Sequence, residues 1–330
     1  MSYETGSATD FPDLMAKLIT FASTFCGFTD ESAFNRTESL NYQGTSTGTT
    51  YTIRCLSRGG VYWWWRFTTN NMFCLLSTGT GATWPTIANR APHDSELNVL
   101  TGSYPLYRFF EVDDSVHVVL KRLNGGVNSW THFSFGKIQK YGTWTGGEYF
   151  AQSYQEVTST HPNEKNSQYH TRLFGNKNNV TTATTGTAVS NRASYGVMRC
   201  TYNSKNYADI DQNDNAVVTG LNCVLTRGGL RIGPGGTDIN WTMESTYSPA
   251  QWSDTSAASP VEFMLYDDAG ATRYFDLGYL TGIRFLNIKN LTDDALINTD
   301  WRAYPASYRG ETGSSDYAAS GDYGIAYREV

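Results

Sequence analysis

The sequence predicts a mainly β protein: one or more antiparallel β-sandwiches with one N-terminal amphipathic α-helix and an extended C-terminal arm. Aromatic residues make up 14% of the 330 residues and charged residues only 17%, against about a quarter charged in an average soluble protein. Thr, Ser, Asn, Gly and Tyr take the place of Lys and Glu, which favours strands and turns over long helices. Runs of β-branched and aromatic residues alternate with turn residues along most of the chain.

The one predicted helix lies near the start of the chain. Asp10 can cap it, Pro12 suits its first turn, and Asp13 lies near the positive end of the helix dipole. Gly27 is placed to end it. The spacing of one apolar face is followed by Phe11, Leu14, Met15, Leu18, Ile19 and Ala22. Such a face must lie on the β body of the same chain or on a neighbouring subunit.

The run "VYWWWRF", residues 61–67, predicts a strand covered on both faces. Side chains alternate along a strand, so Trp64 faces one way while Trp63 and Trp65 face the other. Neither face is polar, which excludes a sheet with one side in water. We interpret the run as an internal strand of a sandwich, with at least one of the three indoles at a subunit interface.

Turn residues predict how the other strands connect. Arg58-Gly59-Gly60 joins the Trp strand to the strand before it, and "NMFCLLST" continues the meander. A second hairpin turns at Asp113-Asp114, and a third at residues 267–270.

The pattern divides the chain into five segments. Residues 155–195 are polar and poor in large aliphatic side chains, so we interpret them as a long loop or projecting, partner-specific element. The segments are a helical segment at 1–30, a first β-rich half at 31–154, the polar excursion at 155–195, a second β-rich half at 196–290, and a C-terminal arm at 291–330.

The net charge and the cysteines indicate which binding partners to expect and in which cellular compartment the protein is made. The net charge is −6 with no Lys/Arg stripe, so we expect no nucleic-acid partner. No stretch approaches a membrane span or a signal peptide, so we expect no membrane insertion. The spacing of the cysteines predicts reduced thiols in a protein made in a cytoplasm, with a Cys55–Cys74 bridge as the alternative. The five cysteines are Cys26, Cys55, Cys74, Cys200 and Cys223.

Motifs that carry chemistry are scarce. There is no metal-ligand spacing of histidines, no nucleophile elbow and no phosphate-binding loop after a strand. We therefore expect no catalytic residue, no cofactor and no enzymatic activity. The five histidines are His93, His117, His132, His161 and His170.

"DIDQNDN", residues 209–215, resembles the start of a calcium loop. Asp209, Asp211 and Asn213 alternate as early ligands would, but Asp214 and Gly220 stand where such a loop needs glycine and a bidentate acid. We interpret the stretch as a polar turn and keep the first three residues as the metal candidate.

Two stretches in the middle of the chain resemble a known protein family. "SWTHFSFG" at 129–136 and "YGTWTGGEYF" at 141–150 resemble a passage common in virion structural proteins of tailed bacteriophages, where an aromatic strand ending in Phe-Gly precedes a Trp-x-Gly-Gly turn. The segment 2–29 is similar to the N-terminal helix of those proteins, and 300–330 to their C-terminal ends. The polar excursion is not covered.

The resemblance implies a non-enzymatic component of a tail, baseplate or neck, made in the bacterial cytoplasm and localised in the virion. Its partners would be copies of itself and other virion proteins. Tyr and Trp anchors with little charge suit such contacts. The residues expected at interfaces are Phe11, Leu14, Leu18, Trp63, Trp65, Trp301, Tyr304, Tyr323 and Tyr327.

Three alternatives stay open. A module that binds host-surface glycan would stack sugars on Trp84, Trp130 or Trp144. A glycan hydrolase would need paired carboxylates, with Glu148 as one of several available. A capsid-decorating position is the third.

Overall fold

The structure is a computed structural model, and every structural statement below refers to the residues that it describes. These are residues 2–41, 44–90, 95–97, 102–124, 127–143, 148–153, 196–202, 205–210, 222–228, 259–267, 273–288, 291–297, 299–305 and 323–329. The predicted polar excursion at 155–195 lies outside them, as do Trp144, Asp211 and Asn213.

The chain is mainly β, with antiparallel sheets and one N-terminal helix, which confirms the predicted fold class. Helix α1 is Phe11–Phe25. Short 3-10 helices lie at Ser32–Phe34 and Trp84–Thr86. The strands are β1 Ser2–Ala8, β2 Thr29–Asp30, β3 Arg36–Leu40, β4 Ser46–Arg58, β5 Val61–Phe67, β6 Met72–Ser77, β7 Ser95–Leu97, β8 Tyr104–Val112, β9 Ser115–Asn124, β10 Val127–Lys137, β11 Gln139–Lys140, β12 Tyr149–Ser153, β13 Gly196–Tyr202, β14 Lys205–Ile210, β15 Asn222–Gly228, β16 Ser259–Asp267, β17 Arg273–Asn287, β18 Ala295–Ile297, β19 Trp301–Pro305 and β20 Tyr323–Arg328.

Helix α1 begins where its cap residue predicts. The Asp10 carboxylate accepts a hydrogen bond from the backbone N–H of Asp13 at 2.9 Å, which satisfies one of the donors left free in a first turn. Gly27 follows the helix with a φ of +66°, a conformation that costs glycine little. The apolar face lies on the chain's own β body, since Phe21 packs on Phe109 with ring centroids 5.5 Å apart.

The Trp run lies in a six-stranded sheet, here called the Trp sheet. Its order is β2-β4-β5-β6-β7, and β3 also pairs with β4. The β4–β5 hairpin turns at Gly59 and Gly60, with φ of +58° and +77°. A two-residue turn with both φ values positive matches the right-handed twist of the strands it joins, so two glycines fit there.

The other strands form a fourteen-stranded sheet, here called the large sheet. Its order is β1-β8-β9-β10-β12-β13-β14-β15-β16-β17-β20-β19-β18, with β11 paired to β17. Among the described strand pairs, β14–β15 alone is parallel. The β8–β9 hairpin turns at Asp113 and Asp114, as predicted, with φ of +46° and +75°. β16 and β17 pair as the predicted third hairpin, whose turn lies outside the described residues.

The strands β8, β9 and β10, here called the central strands, are covered on both faces. Directly opposite residues of antiparallel strands share a face, so Val118 and Phe133 face one way while His117 and Ser134 face the other. The first face packs against α1 and the Trp sheet. The second is covered by β17, β19 and β20, because the large sheet folds back over its own beginning. The body therefore has three layers.

The ends of the chain differ from the predicted segments. Residues 2–8 form strand β1, paired with β8, within the segment 1–30 that the sequence assigned to a helix. The described part of the predicted C-terminal arm is mostly strand, and β20 lies inside the large sheet between β17 and β19. This part of the arm therefore wraps over the body of its own chain, and residues 306–322 are not among those described.

Candidate functional site

The Trp run lies entirely inside the protein. Trp63, Trp64 and Trp65 are each 0% exposed. Trp65 packs edge-on against Phe135 of β10, with ring centroids 5.0 Å apart, and Trp63 packs edge-on against Phe28 at 5.2 Å. These contacts confirm that the run is an internal strand covered on both faces, and the face with Trp63 and Trp65 forms what we call the aromatic core.

Two of the three indole N–H groups find acceptors. Trp63 Nε1 donates to the carbonyl oxygen of Phe150 at 2.9 Å, and Trp64 Nε1 donates to the hydroxyl of Ser77 at 2.8 Å. Within the described residues, Trp65 Nε1 has no acceptor. A buried unpaired donor costs free energy, so the position of Trp65 depends on apolar packing alone.

The outer face of the Trp sheet holds a buried cation. Arg66 is 3% exposed, and its guanidinium lies 4.4 Å from the ring centroid of Phe73, 4.5 Å from Tyr51 and 5.1 Å from Trp84. Its Nη1 also donates to the carbonyl oxygen of Leu40 at 3.0 Å. Three rings and a carbonyl replace the water that the cation loses. Through Trp84, this cluster holds the short helix Trp84–Thr86 against the outer face of the Trp sheet.

The second face of the central strands carries a fully buried polar group, here called the polar seam. It consists of His117, His132, Ser134 and Tyr327, each 0% exposed. His117 Nε2 lies 3.0 Å from the carbonyl oxygen of Thr281, and its Nδ1 lies 2.8 Å from Ser134 Oγ.

His132 repeats this arrangement on the neighbouring strand. Its Nε2 lies 2.8 Å from the carbonyl oxygen of Pro305, and its Nδ1 lies 2.9 Å from the hydroxyl of Tyr327. A carbonyl oxygen only accepts, so both rings donate from Nε2 and both Nδ1 atoms accept from a hydroxyl. The two imidazoles are thus held as neutral rings with both nitrogens paired.

Burial dominates the electrostatics of the seam. It lowers the pKa of His117 and of His132 from 6.5 to about 4, although the bond to each backbone carbonyl opposes the shift. Burial also raises the pKa of Tyr327 well above its ordinary value. All three groups are therefore uncharged at neutral pH.

Aromatic packing surrounds the hydrogen bonds of the seam. The Tyr327 ring stacks on Phe110 with centroids 5.1 Å apart and planes 10° apart, and on the His132 ring at 5.8 Å and 11°. Tyr304 packs on Trp130 at 5.2 Å. The C-terminal strands are thus attached to the central strands by stacked rings as well as by hydrogen bonds.

Ion pairs lie at one end of the seam. Arg108 of β8 binds the Asp294 carboxylate before β18, and Arg302 of β19 binds the Glu329 carboxylate with Nε 2.6 Å from Oε2. The pair with Glu329 raises the pKa of Arg302 further. These carboxylates are already neutralised by guanidinium groups.

The Ser134–His117 pair has the distance of a nucleophile and its base. Both side chains are 0% exposed, and the other imidazole nitrogen binds a backbone carbonyl. The neighbouring Gln152, opposite Ser134 on β12, is also fully buried, and its amide has no hydrogen-bond partner among the described residues. The two side chains are shielded from solvent and hydrogen-bond to each other between neighbouring strands.

The residues expected at subunit interfaces are largely used inside the chain. Phe11, Leu14, Leu18, Trp63, Trp65, Tyr304 and Tyr327 are all buried. Trp301 is half-buried, with the Arg284 guanidinium 5.4 Å from its ring, and Tyr323 begins β20. Contact of any of them with a neighbour stays a prediction.

The other candidates are separated in the fold. Asp209 lies in β14, and the described residues contain no group of three His, Cys, Asp or Glu placed to hold a metal. Trp84 and Trp130 are buried rather than open to a sugar, and Glu148 pairs with Lys140 at 2.8 Å. Cys26, Cys55 and Cys74 are buried and form no disulfide within the described structure. None of the described helices has the length and apolar character of a membrane span.

The polar seam is the feature that sequence reasoning missed. The signal is local: His117 stands in the apolar run "SVHVVL", and His132 alternates with aromatic residues in "WTHFSF". A polar residue at every second position of an apolar strand usually predicts a face in water. Here the second face is buried by strands more than 140 residues further along the chain, which no local pattern can reveal.

Comparison with known proteins adds no relative: no family model and no curated protein matches this chain.

Proposed function

We propose that the protein is a non-enzymatic structural component of a tailed-bacteriophage virion, in the tail, baseplate or neck. One observation carries the proposal. The passage that resembles virion proteins coincides with β10 to β12, and its Phe133, Phe135 and Phe150 are all buried. The resemblance therefore involves residues on which the layers are built, rather than a variable surface loop.

The structure shows why the passage needs a glycine at position 136. Gly136 has a φ of +130°, and a Cβ there would collide with the backbone carbonyl of Asp114. A Phe-Gly pair at the end of such a strand is thus a requirement of the fold, since any larger residue would push the β8–β9 turn away. This supports treating the motif as a marker of shared architecture.

The surroundings of the imidazole, hydroxyl and thiol groups also support a structural role. The two buried histidines and Ser134 hydrogen-bond to other protein groups, and burial raises the pKa of the Cys26 thiol to about 12. A thiol with so high a pKa is a poor nucleophile. Groups that could react are used to hold strands together.

Quantitative mass spectrometry of purified virions tests this function. We expect the chain at several copies per particle, in a ratio to the major capsid protein that stays constant through repeated purification. An amber codon in place of Leu123, whose side chain is 58% exposed and tolerates replacement, should give defective particles in a non-suppressing host and normal ones in a suppressing host. A chain that stays in the soluble lysate, with normal particles formed in its absence, would refute the proposal.

A second candidate is binding of host-surface glycan, favoured by a pair of tyrosines of which one is exposed and the other half-buried. Tyr141 is 43% exposed and its ring centroid lies 5.4 Å from that of Tyr279. Sugar rings stack on such open aromatic faces. Glycan should quench the intrinsic fluorescence of the native protein and not that of Tyr141→Ala, whereas an unchanged signal in both would remove this candidate.

A further inference from the structure

The polar seam connects distant parts of the chain through very few groups. His117 and His132 lie on β9 and β10, whereas their partners Thr281, Pro305 and Tyr327 lie on β17, β19 and β20. Each imidazole therefore joins the central strands to the layer that covers them. Among the described residues, the other face of the same strands packs mainly through Val118, Phe133 and similar apolar side chains.

We propose that the polar seam is an acid-sensitive contact: protonation of His117 and His132 releases the C-terminal strands β19 and β20 from the central strands, while the aromatic core stays packed. Each neutral ring accepts a hydroxyl proton at Nδ1. A protonated ring carries N–H at both positions, so the hydroxyl must turn and lose its own acceptor. The ring also gains a positive charge in a site without water.

Within the described part of the chain, the carboxylates near the seam are paired with arginines rather than with the two rings. The partners that hold the two imidazoles are hydroxyl and carbonyl groups. On the facing elements, Asp294 and Glu329 are bound to Arg108 and Arg302. Further along the same face Lys121 lies over Trp130, 5.6 Å from its ring centroid. Among the described residues, a charge on either ring would thus have hydroxyl and carbonyl groups as its hydrogen-bond partners.

The direction of the pH dependence follows from the shifted pKa values. Folded His117 and His132 have a pKa near 4, against 6.5 for the free group. The open chain therefore binds more protons than the closed one between these values. The contact is at full strength above about pH 6.5 and weakens as the pH falls towards 4.

β19 and β20 are the strands that acid should free first. β20 pairs with β17 over five residue pairs, β19 pairs with β20 over five, and β18 adds three. Short strands without a packed face are marginal in water. Once their inner face is open, their backbone amides should exchange with solvent.

Hydrogen–deuterium exchange of the full chain tests the proposal. After correction for the intrinsic rate, we expect amides of 301–304 and 323–329 to exchange about tenfold or more faster at pH 5 than at pH 7. Amides of α1 and β5 should keep their protection. Equal loss in all four segments, or loss in none, would overturn the proposal.

Matched variants separate the two histidines from general acid effects. Glutamine can donate to a carbonyl and accept from a hydroxyl but does not titrate, so His117→Gln with His132→Gln should keep β19 and β20 protected at pH 5. His161→Gln, which removes another histidine, should behave as the native chain. If the double variant fails to fold, imidazole NMR of the native chain decides: two of five rings must titrate well below 6.5, and five ordinary titrations would contradict the proposal.

Discussion

The two faces of the central strands are equally buried, yet they are built from different chemistry. The aromatic core packs Trp63 and Trp65 against Phe28 and Phe135. The polar seam places imidazole and hydroxyl groups in a site just as dry. The first face gains stability from area removed from water, and the second depends on every polar atom finding its partner. The stability of the protein should therefore depend on the size of the side chains on the first face and on pH at the second.

The largest expected effect is the loss of a core indole. Trp65→Ala should lower the free energy of unfolding by about 3–5 kcal/mol, because the cavity it leaves is lined by rigid rings. Urea denaturation at pH 7 measures this loss. Leu123→Ala is the control: Leu123 is 58% exposed, so its truncation should change stability by less than about 0.5 kcal/mol. A comparably small loss for Trp65→Ala would show that the aromatic core is not tightly packed.

The pH response comes next in size. Between pH 7 and 5 the free energy of unfolding should fall by up to about 2 kcal/mol for each seam histidine, since folded pKa values near 4 disfavour proton uptake. Urea denaturation at the two pH values gives the difference. His132→Gln should recover about half of it, and a fall of the same size in His132→Gln as in the native chain would assign the response to other groups.

A smaller effect is expected from one hydroxyl of the seam. Tyr327→Phe keeps the ring that stacks on Phe110 but leaves His132 Nδ1 without its donor, which should cost about 1–3 kcal/mol. Tyr3→Phe is the matched control, because the Tyr3 hydroxyl is buried without a hydrogen-bond partner in the described structure and its ring also packs on Phe110. Thermal denaturation should show a loss only for Tyr327→Phe, and equal losses would remove the special role of the seam.

The smallest expected loss of stability comes from the N-terminal cap of α1, the helix that packs on the apolar face of the central strands. Asp10→Ala removes the oxygen that accepts from the Asp13 amide, and about 1 kcal/mol of stability should go with it. Asp10→Asn keeps an acceptor and should cost much less. Circular dichroism during urea denaturation compares the two variants, and equal stability for Asp10→Ala and the native chain would exclude the cap as a determinant of the helix.

The sequence predicted the helix, strands and turns that are determined by residues close together in the chain. Asp10 and Pro12 marked the start of the helix, Gly59-Gly60 and Asp113-Asp114 marked two hairpins, and the Trp run marked a strand covered on both faces. It did not predict what covers each face, since the partners of His117 and His132 lie 164 and 173 residues away. Nothing in the sequence indicated that Tyr304 and Tyr327 are buried inside their own chain, and their predicted contact with a neighbour stays a prediction.

The most direct test of a role in assembly is an electron-cryomicroscopy map of the intact particle. We predict repeated copies of this fold around the particle axis, with the three layers of each copy intact and the contacts between copies made by side chains outside the aromatic core and the polar seam. A complete particle map with no density for this chain would contradict the account.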